Sequence, residues 1–515
     1  MTMRTEATVH RNRLFVACII SLVATSFGFV VRGFLVGVWA NEFNLTQAQV
    51  GAIQGAGLFP FALSIVFFSL IVDRIGYGRC MVFAFLGHTI SAFITMTANS
   101  FEQLYVGTLI FALANGTVEA VINPVTATLF PTSKTHHLNI LHAGWPGGLV
   151  LGGLLFIVLG DLNWKWQIGL YLIPTLCYGY LMLGQKFPVQ ERVASGVSYR
   201  EMLQEFGWGS CFIVCFFVVF AFDSVFGSLG LYTGTISWWT AMALAAIPTI
   251  VFAFVYRSFG RPMFVFLLLV MVLLATTELG VDSWITNLMT PVLAQYSQYG
   301  GLMLLIYTSF IMFVLRFFAG PIVHRISPLG LLATCAALAS LGLFWIANAG
   351  AAAGMIFAAG TLYGIGKTFF WPTTLGVVTE QFPRGGAMTI NAIAGVGMIS
   401  VGVLGGPILG AIQDNALDAR LLAADPAIHA RVAGEPATAY LMRYQPVDRS
   451  KVAELPEPAR KLVEQITTEN SQHTLATFAI LPAIMFFCYV GLILYFKARG
   501  GYRPVVLAPT QAPAR

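Results

Sequence analysis

The chain has 515 residues, 57% of them hydrophobic and 10% charged, with a mean hydropathy of +0.78. Soluble domains carry about a quarter charged residues, so the composition argues against a water-soluble enzyme, and long apolar blocks in place of short alternating ones argue against a transmembrane β-barrel. The formal charge of +6, from 28 Lys+Arg against 22 Asp+Glu, carries information through its placement more than its sum.

About 20 apolar residues cross a bilayer as a helix. Apolar blocks between charges and Gly/Pro breaks predict fourteen spans at 13–40, 48–72, 80–98, 104–130, 138–160, 166–185, 209–231, 235–257, 262–292, 299–324, 329–349, 353–381, 387–413 and 474–497. The fold class is therefore an all-α polytopic membrane protein. The first block is too long for a signal-peptide core and its flanks lack a cleavage pattern, so it reads as a retained first helix. The seven cysteines lie in or beside apolar segments without metal-type spacing, which predicts neither disulfides nor a metal site; Cys211 and Cys215, one turn apart, read as packing residues.

Placing the N-terminus inside puts seventeen basic residues on the inner segments, from Arg4, Arg11 and Arg13 through Arg192, Arg257 and Arg384 to Lys497 and Arg515, against Lys165 alone in the short outer loops. Such a bias orients the chain with both termini cytoplasmic in the inner membrane. The long polar segment 414–473 then forms an outer cap, with short helices expected near 415–424 and 459–468, before a last helix at 474–497 and a tail at 498–515.

The sequence repeats. ANGTVEAVINP (Ala114 to Pro124) aligns with LYGIGKTFFWP (Leu362 to Pro372), pairing Gly116 with Gly364 and Glu119 with Lys367; SLIVDRIGYGR (Ser69 to Arg79) aligns with GPIVHRISPLG (Gly320 to Gly330); Asn139 and Asn391 open corresponding helices. Residues 1–185 thus form an N-terminal six-helix bundle, and 262–413 with the last helix form its C-terminal counterpart. Between them lie a linker at 186–208 and an extra two-helix hairpin at 209–261. In the linker, Tyr199, Met202, Leu203 and Phe206 make an apolar stripe expected to lie on the inner membrane surface.

The small-x-x-x-Asp-Arg-x-Gly loop and its repeat resemble the major facilitator superfamily. Within it, span 4 with Glu119, Asn123 and Pro124, the Leu138-Asn139 opening of span 5, RFFAGPIVHR (Arg316 to Arg325) and FWPTTLG (Phe370 to Gly376) look like the fucose permease type of sugar:proton symporters. The resemblance covers the twelve core spans. It implies alternating access of two bundles about a polar midplane site, with Glu119 at the position of an acid that couples protons and binds sugar. A second family acid falls here on Gly33, beside Arg32.

Ionisable groups inside spans are costly and mark functional sites. Glu119 lies near mid-membrane, where it would gain and lose a proton as the cavity alternates. Lys367 is expected opposite it, neutralising it across the empty cavity. Glu278 and Asp282, one turn apart, would share a site with Arg32 or Lys367; Arg32 is expected to answer Glu119, Glu278 or Asp282, or an anionic substrate. Asp223 is expected to make a structural bond within the hairpin. Trp284, Trp371 and Trp145 offer faces for stacking, and Asn123, Asn139 and His142 offer hydrogen bonds. Asp73, Arg74, Arg79, Arg316, His324, Arg325 and Glu380 are expected near the inner face, where the resemblance implies that such a cluster acts as a gating latch.

The expected activity is secondary transport of a sugar or related small polar solute, as proton-coupled symport. The alternatives are a facilitator or antiporter of a small organic anion, and a membrane sensor or partner-docking protein. No enzymatic activity, cofactor, metal or nucleic-acid partner is expected; the proton gradient is the driving force, the partners are a small-molecule substrate and the bilayer, and the unit is a monomer.

Overall fold

A computed structural model describes residues 10–228, 236–439 and 442–507. Arg4 and Arg515, counted above among the inner basic residues, lie outside the described residues, as does the tip of the hairpin at 229–235. Among the described residues, ten helices are long and apolar enough to cross a membrane. The other four predicted spans are apolar helices with a break, a turn or a polar extension.

In chain order, span 1 is Arg11–Glu42, span 2 Gln47–Ile75, span 3 Tyr77–Met96 and span 4 Phe101–Leu129. Span 5 is split at Ala143 into Lys134–His142 and Gly144–Val158, and span 6 into Trp164–Gly169 and Leu172–Met182. Spans 7 and 8 are Tyr199–Ser228 and Trp238–Tyr256. Span 9 joins Pro262–Ala275 to Val281–Leu293 through a π-helical turn, Thr276–Gly280. Span 10 begins as Gly300–Arg316, turns at 317–318, and continues to a kink at Ser327 that starts span 11, which ends at Ala347. Span 12 is Ala353–Lys367 and Phe370–Gln381; span 13 runs Gly386–Ser400, a π-turn Val401–Gly405, and Gly406–Ala424; span 14 is Glu457–Phe478 and Ile480–Lys497.

The repeat has a packing cause. A Cβ on Gly116 would stand 2.1 Å from the Phe61 carbonyl oxygen of span 2, and one on Gly364 3.3 to 3.4 Å from Ile311 and Thr308 of span 10. Each glycine lets the fourth helix of its half approach the second. The two bundles meet where span 2 packs on span 13 and span 5 on spans 10 and 12.

The hairpin lies along the seam between spans 2 and 13, also touching span 9. Its entry and exit are pinned by Gly207 (φ 71°) and Gly260 (φ 88°), so close that a Cβ on Gly207 would be 2.1 Å from the Gly260 nitrogen. Asp223 accepts the Ile236 N–H at 3.1 Å within the hairpin. The stripe in the linker departs from expectation. Met202, Leu203 and Phe206 are buried in the protein, Phe206 against Phe252 and Phe264, and the Tyr199 hydroxyl donates to the Leu70 carbonyl. The apolar face packs on spans 2, 8 and 9 instead of resting on lipid.

In the cap, the two expected short helices are continuations of spans 13 and 14. Between them lie helices Pro426–Val432 and Arg449–Ala453 and a two-stranded antiparallel sheet pairing Ala437–Ala439 with Met442–Tyr444. Leu417, Leu421, Val432, Leu455, Val463 and Ile466 form a small core separate from that of the bundles.

Candidate functional site

Two polar constellations lie at mid-span in the two bundles and join at one residue. In span 4, Glu119 is 4% exposed, and Asn123, one turn on, donates to its Oε2 at 2.7 Å. The Asn123 Oδ1 accepts from His142 Nε2 of span 5 at 2.9 Å, giving a buried line Glu119, Asn123, His142. Glu119 makes no ion pair among the described residues. Asn139, one turn earlier in span 5, donates across the seam to the Thr373 hydroxyl of span 12 at 3.2 Å.

In the C-terminal bundle, Arg316 is 1% exposed and forks over three partners. It donates through Nη2 to Glu278 Oε1 (2.8 Å), through Nε to the Thr368 carbonyl (2.7 Å) and through Nη1 to the His142 carbonyl (2.5 Å). The second Glu278 oxygen accepts the Trp371 N–H at 3.1 Å. Lys367, fully buried, is hydrogen-bonded to Asp282 and lies 5.0 Å over the Tyr363 ring. His142 thus belongs to both groups, its ring to the Glu119 line and its carbonyl to Arg316.

This geometry changes several expected pairings. Glu119 and Lys367 do not neutralise one another; Lys367 is taken by Asp282 and Glu119 by Asn123. Glu278 does not pair with Lys367 or Arg32: it sits in the π-turn Thr276–Gly280, held by Arg316 of span 10 and the Trp371 N–H of span 12, while Asp282 takes Lys367. Arg316 is not at the membrane face: span 10 continues past it to Ser327, which leaves it mid-span. Arg32 reaches none of the expected acids. It points into its own bundle, donating to Ser91 (2.7 Å), Thr95 (3.3 Å) and Tyr171 (3.5 Å), over the Phe111 ring at 4.4 Å. Trp284 packs against span 13 at Gly410. Trp371 and Trp145 are buried, and their indole N–H groups have no partner among the described residues.

The remaining latch residues lie at the face that bears both termini. Asp73 pairs with Arg192 of the linker at 2.6 Å, whereas Arg74 stacks 4.5 Å over Tyr199 and Arg79 caps the Ile75 carbonyl at 3.4 Å. Glu380 accepts from Thr135 of span 5 (2.5 Å) and from Tyr502 of the tail (2.7 Å), and its carbonyl accepts the Val505 N–H (2.8 Å). Arg325 is exposed, and the His324 side chain lies outside the described residues. Sequence reasoning missed Arg192, Lys134, which pairs with Glu191 at 2.5 Å, and Tyr502. It counted both basic residues only toward orientation, and a tyrosine in a tail carries no periodic signal.

Residues 15–279 match the Major Facilitator Superfamily. The chain belongs to that superfamily. Among curated relatives of this facilitator are the gallate transporter of Pseudomonas putida (23% identical over 143 residues, 28% of this chain and 32% of that protein) and the gentisate transporter of Corynebacterium glutamicum (23% over 187 residues, 35% and 41%). The multidrug resistance protein D of Escherichia coli is 22% identical over 143 residues, 27% of this chain and 36% of that protein. The facilitator spans between about a third and two fifths of the length of these relatives. In fold it is similar to the human organic anion transporter MFSD10 (TETRAN), with a TM-score of 0.58 at 12% identity over 94% of this chain and 100% of that one. It is similar to FucP in its outward conformation (0.55, 14%, 92% and 98%) and to the proton:xylose symporter XylE (0.58, 12%, 93% and 96%). The resemblance to the fucose permease type thus has a counterpart in the fold.

Proposed function

We propose that this facilitator is a proton-coupled symporter of a sugar or a related small polyhydroxylated solute, working by alternating access. The observation that carries the reading is the unpaired Glu119. Both mid-span cations of the C-terminal bundle are committed to Glu278 and Asp282, and an isolated buried charge is not sustained in an apolar interior. A proton is then the counter-charge left to Glu119, and the Asn123–His142 line supplies a hydrogen-bonded route from it toward the seam. The face bearing both termini is the cytoplasmic one on the basic-residue bias, in an inner membrane, and the unit is a monomer.

A second reading is transport of an organic anion such as gallate or gentisate, the substrates that the names of two relatives give. The unpartnered indole N–H groups of Trp145 and Trp371 favour it, since they offer two donors and two aromatic faces.

The test is uptake into proteoliposomes across neutral sugars and small organic anions, with and without an imposed proton gradient. Gradient-dependent accumulation of a neutral sugar supports the first reading. Movement of anions only, or flux indifferent to the gradient, overturns it.

A further inference from the structure

Proline lacks an N–H, so in a helix it leaves the carbonyl four residues earlier without its usual partner. Three such carbonyls lie at the centre of this protein, and each is taken by a polar side chain of the C-terminal bundle. Pro124 frees the Ala120 carbonyl of span 4, which accepts the Asn391 side-chain amide at 3.0 Å. Pro146 frees the His142 carbonyl of span 5, which accepts Arg316 at 2.5 Å. Pro372 frees the Thr368 carbonyl of span 12, which accepts the same guanidinium at 2.7 Å.

Two of these bonds cross between the bundles and the third does not. Asn391 is in span 13 and Arg316 in span 10, while Ala120 and His142 belong to the N-terminal bundle. Arg316 itself ends the first helix of a broken span, and it holds Glu278 at the π-turn of span 9. Four backbone irregularities, in spans 5, 9, 10 and 12, therefore meet at one guanidinium. These bonds lie in a low-dielectric interior, where an unmade bond leaves a bare carbonyl.

We propose that Arg316 and Asn391 are positioning residues that clasp the C-terminal bundle onto proline-freed carbonyls of the N-terminal bundle, and that these two bonds are released and remade as the bundles rock. The inference rests on alternating access and is independent of which solute moves. Glu278 holds the guanidinium in register, and the Thr368 carbonyl anchors it within its own bundle when the seam parts. The prolines make the docking points. Without them each carbonyl would bond the N–H four residues further along its own helix.

The proline variants restore the helical donors without touching any charge in the membrane interior. Leu183 and Lys497, both exposed at the terminal face on opposite bundles, are replaced by cysteine and spin-labelled in a background with the seven native cysteines removed, and the label-to-label distance distribution is recorded without substrate. Pro146→Ala and Pro124→Ala are expected to enlarge a longer-distance population, shifting the closed-to-open ratio by roughly tenfold for each charge-assisted or buried bond weakened. Asn391→Ala, which removes one donor directly, is expected to do the same. Pro372→Ala, whose carbonyl lies within the C-terminal bundle, is expected to leave the distribution unchanged. Equal shifts in all four variants would reduce the prolines to general helix hinges, and no shift in Pro146→Ala, Pro124→Ala or Asn391→Ala would overturn the clasp. Because no flux is measured, a failure here is separable from a failure of proton coupling.

Discussion

Arg316 of the C-terminal bundle donates to the backbone carbonyl of His142 in the N-terminal bundle, while the His142 ring binds the asparagine that holds Glu119. The group proposed to take the proton and the contact between the moving halves are therefore two bonds apart, through Asn123 and His142. Protonation at Glu119 and docking of the bundles can influence each other through His142 without a long relay.

Asp73 and Arg192 form a nearly dry ion pair at the terminal face, with side chains 7% and 5% exposed. Removing one partner strands the other, so Asp73→Asn and Arg192→Ala should slow transport by similar factors while ligand affinity is kept. The double variant should be no slower than either single one. Initial-rate kinetics over a substrate series check this, and a lost affinity would argue against a latch.

Tyr502 ties the tail to Glu380, the same carboxylate that Thr135 reaches from the other bundle. Burial, and then the Glu380 charge, hold the Tyr502 phenol well above its ordinary range, so it remains a donor as pH rises through neutrality. The contact should thus be insensitive to pH between about 6 and 9. Tyr502→Phe should release the tail and speed proteolysis after residue 498, with limited digestion as the readout.

Lys367 and Asp282 are buried together in the C-terminal bundle. Lys367→Met leaves a carboxylate unpaired, at a cost of about 3 to 5 kcal/mol, and pairing it with Asp282→Leu should recover most of that. Thermal unfolding in detergent reads the recovered stability, and substrate exchange measured alongside distinguishes a structural pair, whose flux the double variant also recovers, from a pair needed for flux, whose flux it does not.

Gly116 and Gly33 give a matched contrast. A methyl group at Gly116 meets the Phe61 carbonyl at 2.1 Å, whereas nothing lies within 4 Å of one at Gly33. Gly116→Ala should destabilise by about 1 to 3 kcal/mol or more, and Gly33→Ala should lie within about 0.5 kcal/mol of the parent, again by thermal unfolding.

Much of this architecture was legible because it is periodic or repeated. Apolar length placed the spans, and the Gly116/Gly364 register placed the two fourth helices correctly, since both glycines answer the same packing demand. The pairings of the charges were not legible. Glu278 and Asp282 share a face in an ideal helix, but a π-turn between them redirects one, and no residue in TELGVDSW announces it. Arg316 was expected with His324 and Arg325 near the membrane face, whereas span 10 continues past it to Ser327 and leaves it mid-span. Yet a signal for its partners existed. Pro146 and Pro372 each name a freed carbonyl four residues back, and a buried arginine is the residue best able to serve two of them.

The central claim is that Glu119 carries the coupling proton. The direct measurement is proton uptake accompanying substrate entry in proteoliposomes, comparing the parent with Glu119→Gln at matched protein content and with exchange of labelled substrate across equal concentrations as the control. The account predicts that the variant still exchanges substrate but takes up no protons and cannot accumulate against a gradient. A variant that keeps proton-driven accumulation would contradict it and move the coupling to another group.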